Sequence, residues 1–199
     1  MCSAFKLVRA AAVLSRVWMS VSELCAAAIE YSDNTAANLL LRSLGGPQGL
    51  TGYLRSLGDS VTRLDRYEPD LNSNLPGDER DTTTPAAMRD TVAKHLLGDA
   101  LSSESRGRLT GWLIDNKTGA NRLRAGIPAN WRVGDKTGGG DRGATNDIAI
   151  VWPSGWAPVL IVIYFSDSTI SSMARDSVIA DVGRIVSDIL TGHTQALPR

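Results

Sequence analysis

The chain has 199 residues, 21 Lys and Arg against 21 Asp and Glu, and 43% hydrophobic residues, a composition typical of a soluble globular protein. Its formal net charge of zero provides no basic field for a phosphate backbone, so we expect no nucleic-acid partner. The most apolar stretch, residues 157–165, is far shorter than the roughly 20 residues of a membrane-spanning helix, so we expect no membrane partner.

The cysteines and histidines limit the possible metal chemistry. Cys2, Cys25, His95 and His193 show neither CxxC nor HxxxH spacing, whereas a zinc site needs three or four ligands at recognisable spacing. We therefore expect no metal and no cofactor. A single disulfide and two separate thiols both remain open for the cysteines.

Helical patterns dominate the first part of the chain. Strong helix formers with apolar residues on most sides predict a largely buried helix over residues 3–17. Capping residues and apolar periodicity predict further helices over 21–30, 35–44, 47–57, 84–97 and 102–116. Residues 59–84 are acidic and aperiodic, and a loop of that length is usually functional or disordered.

After Gly126 the pattern changes to that of strands. Residues 131–137, 144–152 and 158–165 are joined by short turns rich in glycine, which predicts an antiparallel meander followed by a helix over 171–190. The sequence thus predicts an α+β fold in a single domain over 1–199. Its helical subdomain would cover about 1–125, and a subdomain of sheet and C-terminal helix about 126–199.

Four short motifs follow one another along this chain. Ser3 and Lys6 lie three residues apart at a helix start, so the amine can reach the hydroxyl and, with a lowered pKa, accept its proton. Ser32-Asp33-Asn34 lies between two helices, Glu68 to Asn72 in the acidic loop, and Lys136-Thr137-Gly138 at the end of the first strand. Each motif alone also fits a helix cap, a solvated loop or a glycine turn.

Together and in this order, the motifs resemble those of the class A serine β-lactamases. The resemblance covers nearly the whole chain and implies the β-lactamase/transpeptidase-like fold, with an antiparallel sheet covered by helices and an all-helical subdomain. It implies hydrolysis of β-lactam antibiotics through a serine acyl-enzyme, in a monomer that is periplasmic or secreted. No signal peptide is visible in the chain. A second Lys-Thr-Gly, at 117–119, is interpreted as a helix end outside the site.

The resemblance also implies a role for each catalytic residue. Ser3 would attack the lactam carbonyl, and its N–H together with that of Gly139 would form the oxyanion hole. Lys6 and Glu68, the latter through a water held by Asn72, are alternative bases for acylation. Glu68 would then activate the water that hydrolyses the acyl-enzyme.

The remaining roles concern the leaving group and substrate binding. Ser32 would pass a proton to the departing nitrogen, with Lys136 tuning it electrostatically. Asn34 would bind the side-chain amide of the substrate, and Lys136 and Thr137 its carboxylate. Many family members add an arginine at the position of Thr145, so in this chain Arg122 is the candidate for that role.

The resemblance further implies an ion pair between Arg66 and Asp81 that closes the acidic loop, and a cis bond before Pro69. It also shows departures. The family's N-terminal helix and two strands are absent, and so are a loop and helix between Val17 and Met19. That segment carries an aromatic residue of the cleft for which Trp18 would be a partial replacement. We therefore expect residues 158–165 to expose an apolar strand edge, and the chain to be a partial or damaged gene product.

Two alternative functions remain open. A penicillin-binding carboxypeptidase or transpeptidase shares Ser-x-x-Lys and Lys-Thr-Gly, but lacks the deacylating glutamate for which Glu68 is the candidate. An inactive remnant, or one that binds penicillin without turning it over, would keep the motifs and lose the reaction.

Overall fold

A computed structural model describes residues 19–192 of the chain. The helix predicted over 3–17, Trp18 and Cys2 lie outside the described residues. Within residues 19–192, six helices precede the sheet and a seventh follows it: α1 (Val21–Glu30), α2 (Asn34–Ser43), α3 (Gly46–Ser56), α4 (Pro85–Leu96), α5 (Ser103–Ile114), α6 (Leu123–Gly126) and α7 (Ser172–Thr191).

Side-chain caps explain why most of these helices begin where they do. The side-chain oxygens of Ser20, Asp33, Thr84, Ser102 and Ser171 each accept a backbone N–H from the first turn of α1, α2, α4, α5 and α7, respectively. Such caps satisfy N–H groups that have no partner within the helix. The predicted helices from residue 21 onward are confirmed to within one or two residues. The structure also contains the short helix α6, which the sequence did not indicate.

The acidic segment between α3 and α4 is a loop, as predicted. Its only helical part is a single 3-10 turn, Asp70–Asn72. The two ends of the loop lie side by side, because Arg63 N–H donates to the carbonyl of Thr82 at 3.0 Å.

Three strands form an antiparallel sheet in the order β1-β2-β3, which confirms the predicted meander. They are β1 (Arg132–Gly139), β2 (Thr145–Trp152) and β3 (Val159–Phe165). Lys136 lies opposite Ile148, and Thr137 opposite Asp147. Because successive side chains point to opposite faces of a sheet, Lys136 faces one side, and Asp135 and Thr137 face the other.

The main hydrophobic core lies on the Asp135 side, between the sheet, α6 and α7. Its fully buried members include Leu123 of α6, Val151 of β2 and Ile179 of α7. Glycine makes this close packing possible, since a Cβ on Gly126 would lie 1.9 Å from the carbonyl oxygen of Ala180.

The Lys136 side of the sheet faces α1, α4 and α5. Apolar side chains from these helices and from β2 surround a cavity of about 320 Å³ that Lys136 also lines. No helix of the described part is long and apolar enough to cross a membrane, and residues 19–192 contain no cluster of metal-ligating side chains. The division into subdomains near residue 125 stays a prediction.

Candidate active site

A contact between residues 104 positions apart lies at the centre of the candidate site. Lys136 Nζ donates to Ser32 Oγ at 2.9 Å and to the carbonyl of Thr137 at 2.6 Å. Ser32 occupies the corner between α1 and α2 with a φ of 56°, a left-handed conformation that is uncommon for a residue with a side chain. The corner thus presents the hydroxyl of Ser32 to the end of β1.

Burial and neighbouring charges shift the pKa of Lys136. Burial lowers the pKa of the ammonium group, and the nearby charge of Arg122 lowers it further. The carboxylates of Asp135, Asp147 and Glu68 act in the opposite direction and partly restore the pKa. Lys136 can therefore hold a proton beside Ser32 and release it at a lower pH than an exposed lysine would.

Two asparagines hold Glu68, one through its carboxyl group and one through its backbone. Asn72 Nδ2 donates to Glu68 Oε2 at 2.5 Å. Asn38 on α2 exchanges two hydrogen bonds with the backbone of Glu68, donating to its carbonyl at 2.9 Å and accepting its N–H at 3.0 Å. The backbone of Glu68 is thus fixed to the same helix that begins next to Ser32.

The acidic loop is closed by the ion pair that the resemblance implied. Arg66 Nε lies 2.5 Å from Asp81 Oδ2, and Asp81 Oδ1 accepts the backbone N–H groups of Asp65 and Arg66 at 2.7 and 2.9 Å. The bond between Glu68 and Pro69 is cis. Both expectations for this loop are confirmed.

The turn between β1 and β2 lies directly against the acidic loop. Asp141 N–H donates to the carbonyl of Asn72 at 2.8 Å. A Cβ on Gly140 would lie 2.8 Å from that same carbonyl oxygen, so the close approach requires glycine at this position. Gly139, the candidate oxyanion-hole residue, is the exposed last residue of β1.

Arg122 extends along the open end of the sheet. Its Nη1 donates to the carbonyls of Gly138 and Asn146, both at 2.7 Å, and its Nε donates to Asp176 at 2.8 Å. Thr145, at the position where many family members carry arginine, accepts a hydrogen bond from Arg175 Nε at 2.9 Å. The structure therefore brings Arg122 next to the Lys-Thr-Gly motif, on the same strand ends.

Two carboxyl groups are buried on the other face of the sheet. Asp135 pairs with Arg124 and accepts from Asn116 Nδ2 at 3.0 Å. Asp147 accepts the N–H of Leu123 on Oδ2 at 3.1 Å, whereas its Oδ1 has no partner among the described residues. Burial, with a further contribution from Asp135, raises the pKa of Asp147 to about 7.

The structure brings together most of the candidate residues that it describes. Ser32, Lys136, Thr137 and Arg122 meet at the ends of β1 and β2, and Glu68 and Asn72 face the same turn from the acidic loop. Asn34 lies exposed at the first residue of α2. The two remaining catalytic candidates, Ser3 and Lys6, lie outside the described residues.

Sequence reasoning missed Asn38, Thr118 and Asp147. Asn38 interrupts the apolar side of α2, and Asp147 interrupts an apolar strand, so a polar residue within an apolar run was the available signal. Thr118 carried a different signal, because it belongs to the second Lys-Thr-Gly.

Known proteins with similar sequences identify the family. A family model described as the β-lactamase enzyme family matches residues 2–190. β-Lactamase OXY-2 of Klebsiella oxytoca is 50% identical over 170 residues, which are 85% of this chain and 59% of that protein. The chain belongs to the β-lactamase enzyme family.

Solved structures narrow the assignment to class A. An ancestral (GNCA) class A β-lactamase is 62% identical with a TM-score of 0.85, over 86% of this chain and 66% of that one. The putative class A β-lactamase PenP from Rhodopseudomonas palustris is 53% identical with a TM-score of 0.86, over 87% and 67%. Within the family the chain is thus of class A, and it spans about three fifths of the length of OXY-2.

Proposed function

We propose that this chain hydrolyses β-lactams through an acyl-enzyme formed on Ser3. The observation that carries the proposal is the contact of Lys136 with Ser32, with Glu68 and Asn72 paired on the adjoining loop. Relatives about 50% identical in sequence are β-lactamases, which supports the same chemistry here.

In the first step, Ser3 Oγ attacks the lactam carbonyl and loses its proton to a base. Lys6 directly, or Glu68 through a water held by Asn72, accepts that proton. The backbone N–H groups of Ser3 and Gly139 stabilise the oxyanion, and a donor of this kind typically contributes about 2.7–4 kcal/mol.

The carbon–nitrogen bond then breaks, and the departing nitrogen needs a proton. Ser32, whose hydroxyl lies within hydrogen-bonding distance of the Lys136 ammonium group, donates it. Ser32 then receives the proton that the base removed from Ser3, so that the base is free again. The positive charge on Lys136 stabilises the alkoxide character that develops on Ser32 Oγ during this transfer.

Deacylation needs a water molecule and a base on the acidic loop. Glu68 accepts a proton from the water as the water oxygen attacks the acyl carbon. That proton is then passed to Ser3 Oγ as the bond between Ser3 and the acyl carbon breaks, which restores Ser3 and the Glu68 carboxylate. The hydrogen bond that Asn72 donates to Glu68 Oε2 supports this role, because it orients the carboxylate without using its second oxygen. The two hydrogen bonds between the Asn38 side chain and the backbone of Glu68 fix the residue that carries it.

Substrate binding falls to the ends of β1, β2 and α2. Thr137 and Lys136 bind the substrate carboxylate, Arg122 adds positive charge beside them, and Asn34 binds the side-chain amide. We further propose that the enzyme is a monomer that acts in the periplasm or outside the cell.

A chromogenic cephalosporin combined with intact-mass spectrometry tests the proposal. We expect the unaltered chain to hydrolyse it, Ser3→Ala to show neither hydrolysis nor adduct, and Glu68→Gln to accumulate a covalent adduct with turnover lowered at least about 100-fold. Glu79→Gln, an exposed change in the same loop, is the matched control and should resemble the parent.

Other outcomes support the alternatives. A persistent adduct on the unaltered chain would indicate a penicillin-binding enzyme or an acyl trap. The absence of both hydrolysis and adduct would indicate an inactive remnant.

A further inference from the structure

The second Lys-Thr-Gly of the sequence, residues 117–119, lies in contact with the first. Thr118 Oγ1 is 2.5 Å from Thr137 Oγ1. Lys117 lies beyond the end of α5, and its N–H donates to the carbonyl of Glu30 at 2.9 Å. The interpretation of this tripeptide as a helix end outside the site is therefore wrong, because tertiary contacts bring it onto β1.

A chain of hydrogen bonds continues from Thr118 into the protein. Asn116 Oδ1 accepts both the N–H of Thr118 at 3.0 Å and its hydroxyl at 2.8 Å. Asn116 Nδ2 donates to the buried carboxylate of Asp135 at 3.0 Å. Asn116 and Asp135 are 8% and 0% exposed, so the inner part of the network is shielded from water, whereas Thr118 at its outer end is exposed.

The buried carboxylate of Asp135 determines which way the hydrogen bonds of this network point. A carboxylate can only accept, so Asn116 must direct its amide NH₂ toward Asp135 and its oxygen toward Thr118. That oxygen keeps the N–H of Thr118 whichever way the Thr118 hydroxyl turns. Thr118 can therefore redirect its single hydroxyl hydrogen without leaving a buried group unpaired.

Binding of a carboxylate at Thr137 requires that redirection. The hydroxyl of Thr137 has one hydrogen, which it must give to the substrate because the substrate carboxylate only accepts. Its oxygen then needs a donor, and the side chain in contact with it is Thr118. A donated hydrogen bond also makes the Thr137 hydroxyl a stronger donor.

We propose that Thr118, oriented by Asn116 and Asp135, is a positioning residue that donates to Thr137 and thereby sets the affinity for the substrate carboxylate. The inference rests on the proposed function, in which Thr137 binds that carboxylate. It adds to that function a specificity-determining residue that touches Thr137 rather than the substrate.

The test compares Thr118→Val, which lacks the hydroxyl, with Thr118→Ser, which retains it, and with Thr110→Val on α5 as a control outside the network. Dissociation constants are measured by calorimetry in the Ser3→Ala background, with benzylpenicillin and with its methyl ester. KM and kcat are measured in the unaltered background with benzylpenicillin.

We expect Thr118→Val to weaken benzylpenicillin binding and to raise KM about three- to tenfold, the range of one hydrogen bond, with kcat unchanged. Thr118→Ser and Thr110→Val should bind like the parent, and the ester should respond less than the acid. Retention of affinity in Thr118→Val, equal losses in the valine and serine variants, or equal losses for acid and ester would each overturn the inference.

These results also separate the two proposals. Hydrolysis by the parent without any dependence on Thr118 would overturn this inference alone. Binding that depends on Thr118 in a parent that does not hydrolyse would remove the catalytic proposal and leave the positioning role. A parent that neither binds nor hydrolyses benzylpenicillin would overturn both.

Discussion

The protonation of single side chains in the site depends on burial and on charged groups, some of which lie on the opposite face of the sheet. Lys136 is half-buried and faces the site, whereas Asp135 and Asp147 lie on the opposite face of the same sheet and still act on its pKa. Because electrostatic interactions weaken slowly with distance in a poorly solvated interior, the two faces of the sheet are coupled. The lowered pKa of Lys136 and the raised pKa of Asp147 each lead to a prediction.

The first prediction concerns the fall of kcat/KM at high pH, the alkaline limb of the pH profile. Because burial lowers the pKa of Lys136, its ammonium group is lost at a lower pH than that of an exposed lysine, and kcat/KM should fall as it is lost. Lys136→Arg keeps its charge throughout the accessible range and should move this limb to higher pH. Lys117→Arg, an exposed change, should not. An alkaline limb that stays in place in Lys136→Arg would assign the titration to another group.

The second prediction concerns stability and pH. The pKa of Asp147 is about 7 in the folded protein and ordinarily 3.8, so between these values the folded state holds a proton that the unfolded state has released. Stability contributed by the neutral acid is therefore complete below about pH 4 and is lost as the pH rises to about 7.

Asp147→Asn should prevent this loss of stability at rising pH, since the amide carries no charge and its oxygen can still accept the N–H of Leu123. Melting temperatures should exceed those of the parent by several degrees at pH 8, and the difference should shrink toward pH 4. Asp181→Asn, an exposed change on α7, should show no such trend. A constant difference across this range would contradict the buried titration.

At the scale of elements, the acidic loop and the turn between β1 and β2 support each other. The loop is closed on itself by Asp81 and bonded to the turn through Asn72. The contact joins the end of a single 3-10 turn, Asp70–Asn72, to a turn between strands, so their relative position depends on a few polar contacts and on the absence of a Cβ at Gly140.

Asp81→Ala should therefore open the loop. The change removes the acceptor of two backbone N–H groups and leaves Arg66 without its main partner, at a cost of about 3 kcal/mol in the free energy of unfolding. Limited proteolysis should cut the loop faster than in the parent, and a β-lactam adduct should persist longer because Glu68 loses its position. Asp70→Ala, an exposed change in the same loop, is the control. Unchanged proteolysis in Asp81→Ala would show that the loop is held by other contacts.

At the scale of the whole molecule, the described helices cover both faces of the sheet, but the described residues leave the outer edge of β3 without a strand partner. Within residues 19–192, β3 pairs with β2 alone, and its sequence is Val-Leu-Ile-Val-Ile-Tyr-Phe. This agrees with the expected exposed apolar edge, and an apolar strand with free backbone groups can pair with another chain.

We therefore predict that the purified chain, although a monomer when dilute, self-associates through β3 at high protein concentration. Val162→Lys places a charge in the middle of the strand, and its long side chain can reach water past the edge. It should lower light scattering at high protein concentration, whereas Val178→Lys on the outer surface of α7, where Val178 is 40% exposed, should not. Equal scattering by the two variants would indicate association through another surface.

Features set by neighbouring residues were predictable from the sequence. The capped starts of α4 and α5, the meander of β1 to β3 and the aperiodic acidic loop are confirmed, because caps, turns and side-chain periodicity act over a few residues. The candidate residues were identified in the same way, as short motifs in a particular order. α6 was missed because four residues are too few to show a helical period.

Contacts between distant residues needed the tertiary structure. The resemblance implied that Lys136 acts on Ser32, and the structure adds the hydrogen bond between them. The sequence did not indicate that Asn38 holds Glu68 or that Thr118 touches Thr137, and these contacts also depend on packing. Each joins segments about 20 to 100 residues apart, and their meeting depends on how helices pack on the sheet. The unusual pKa of Asp147 likewise arises from burial, which is a property of the folded chain as a whole. The order of the motifs along the chain therefore indicated the chemistry, and the packing of the elements decided which side chains carry it together.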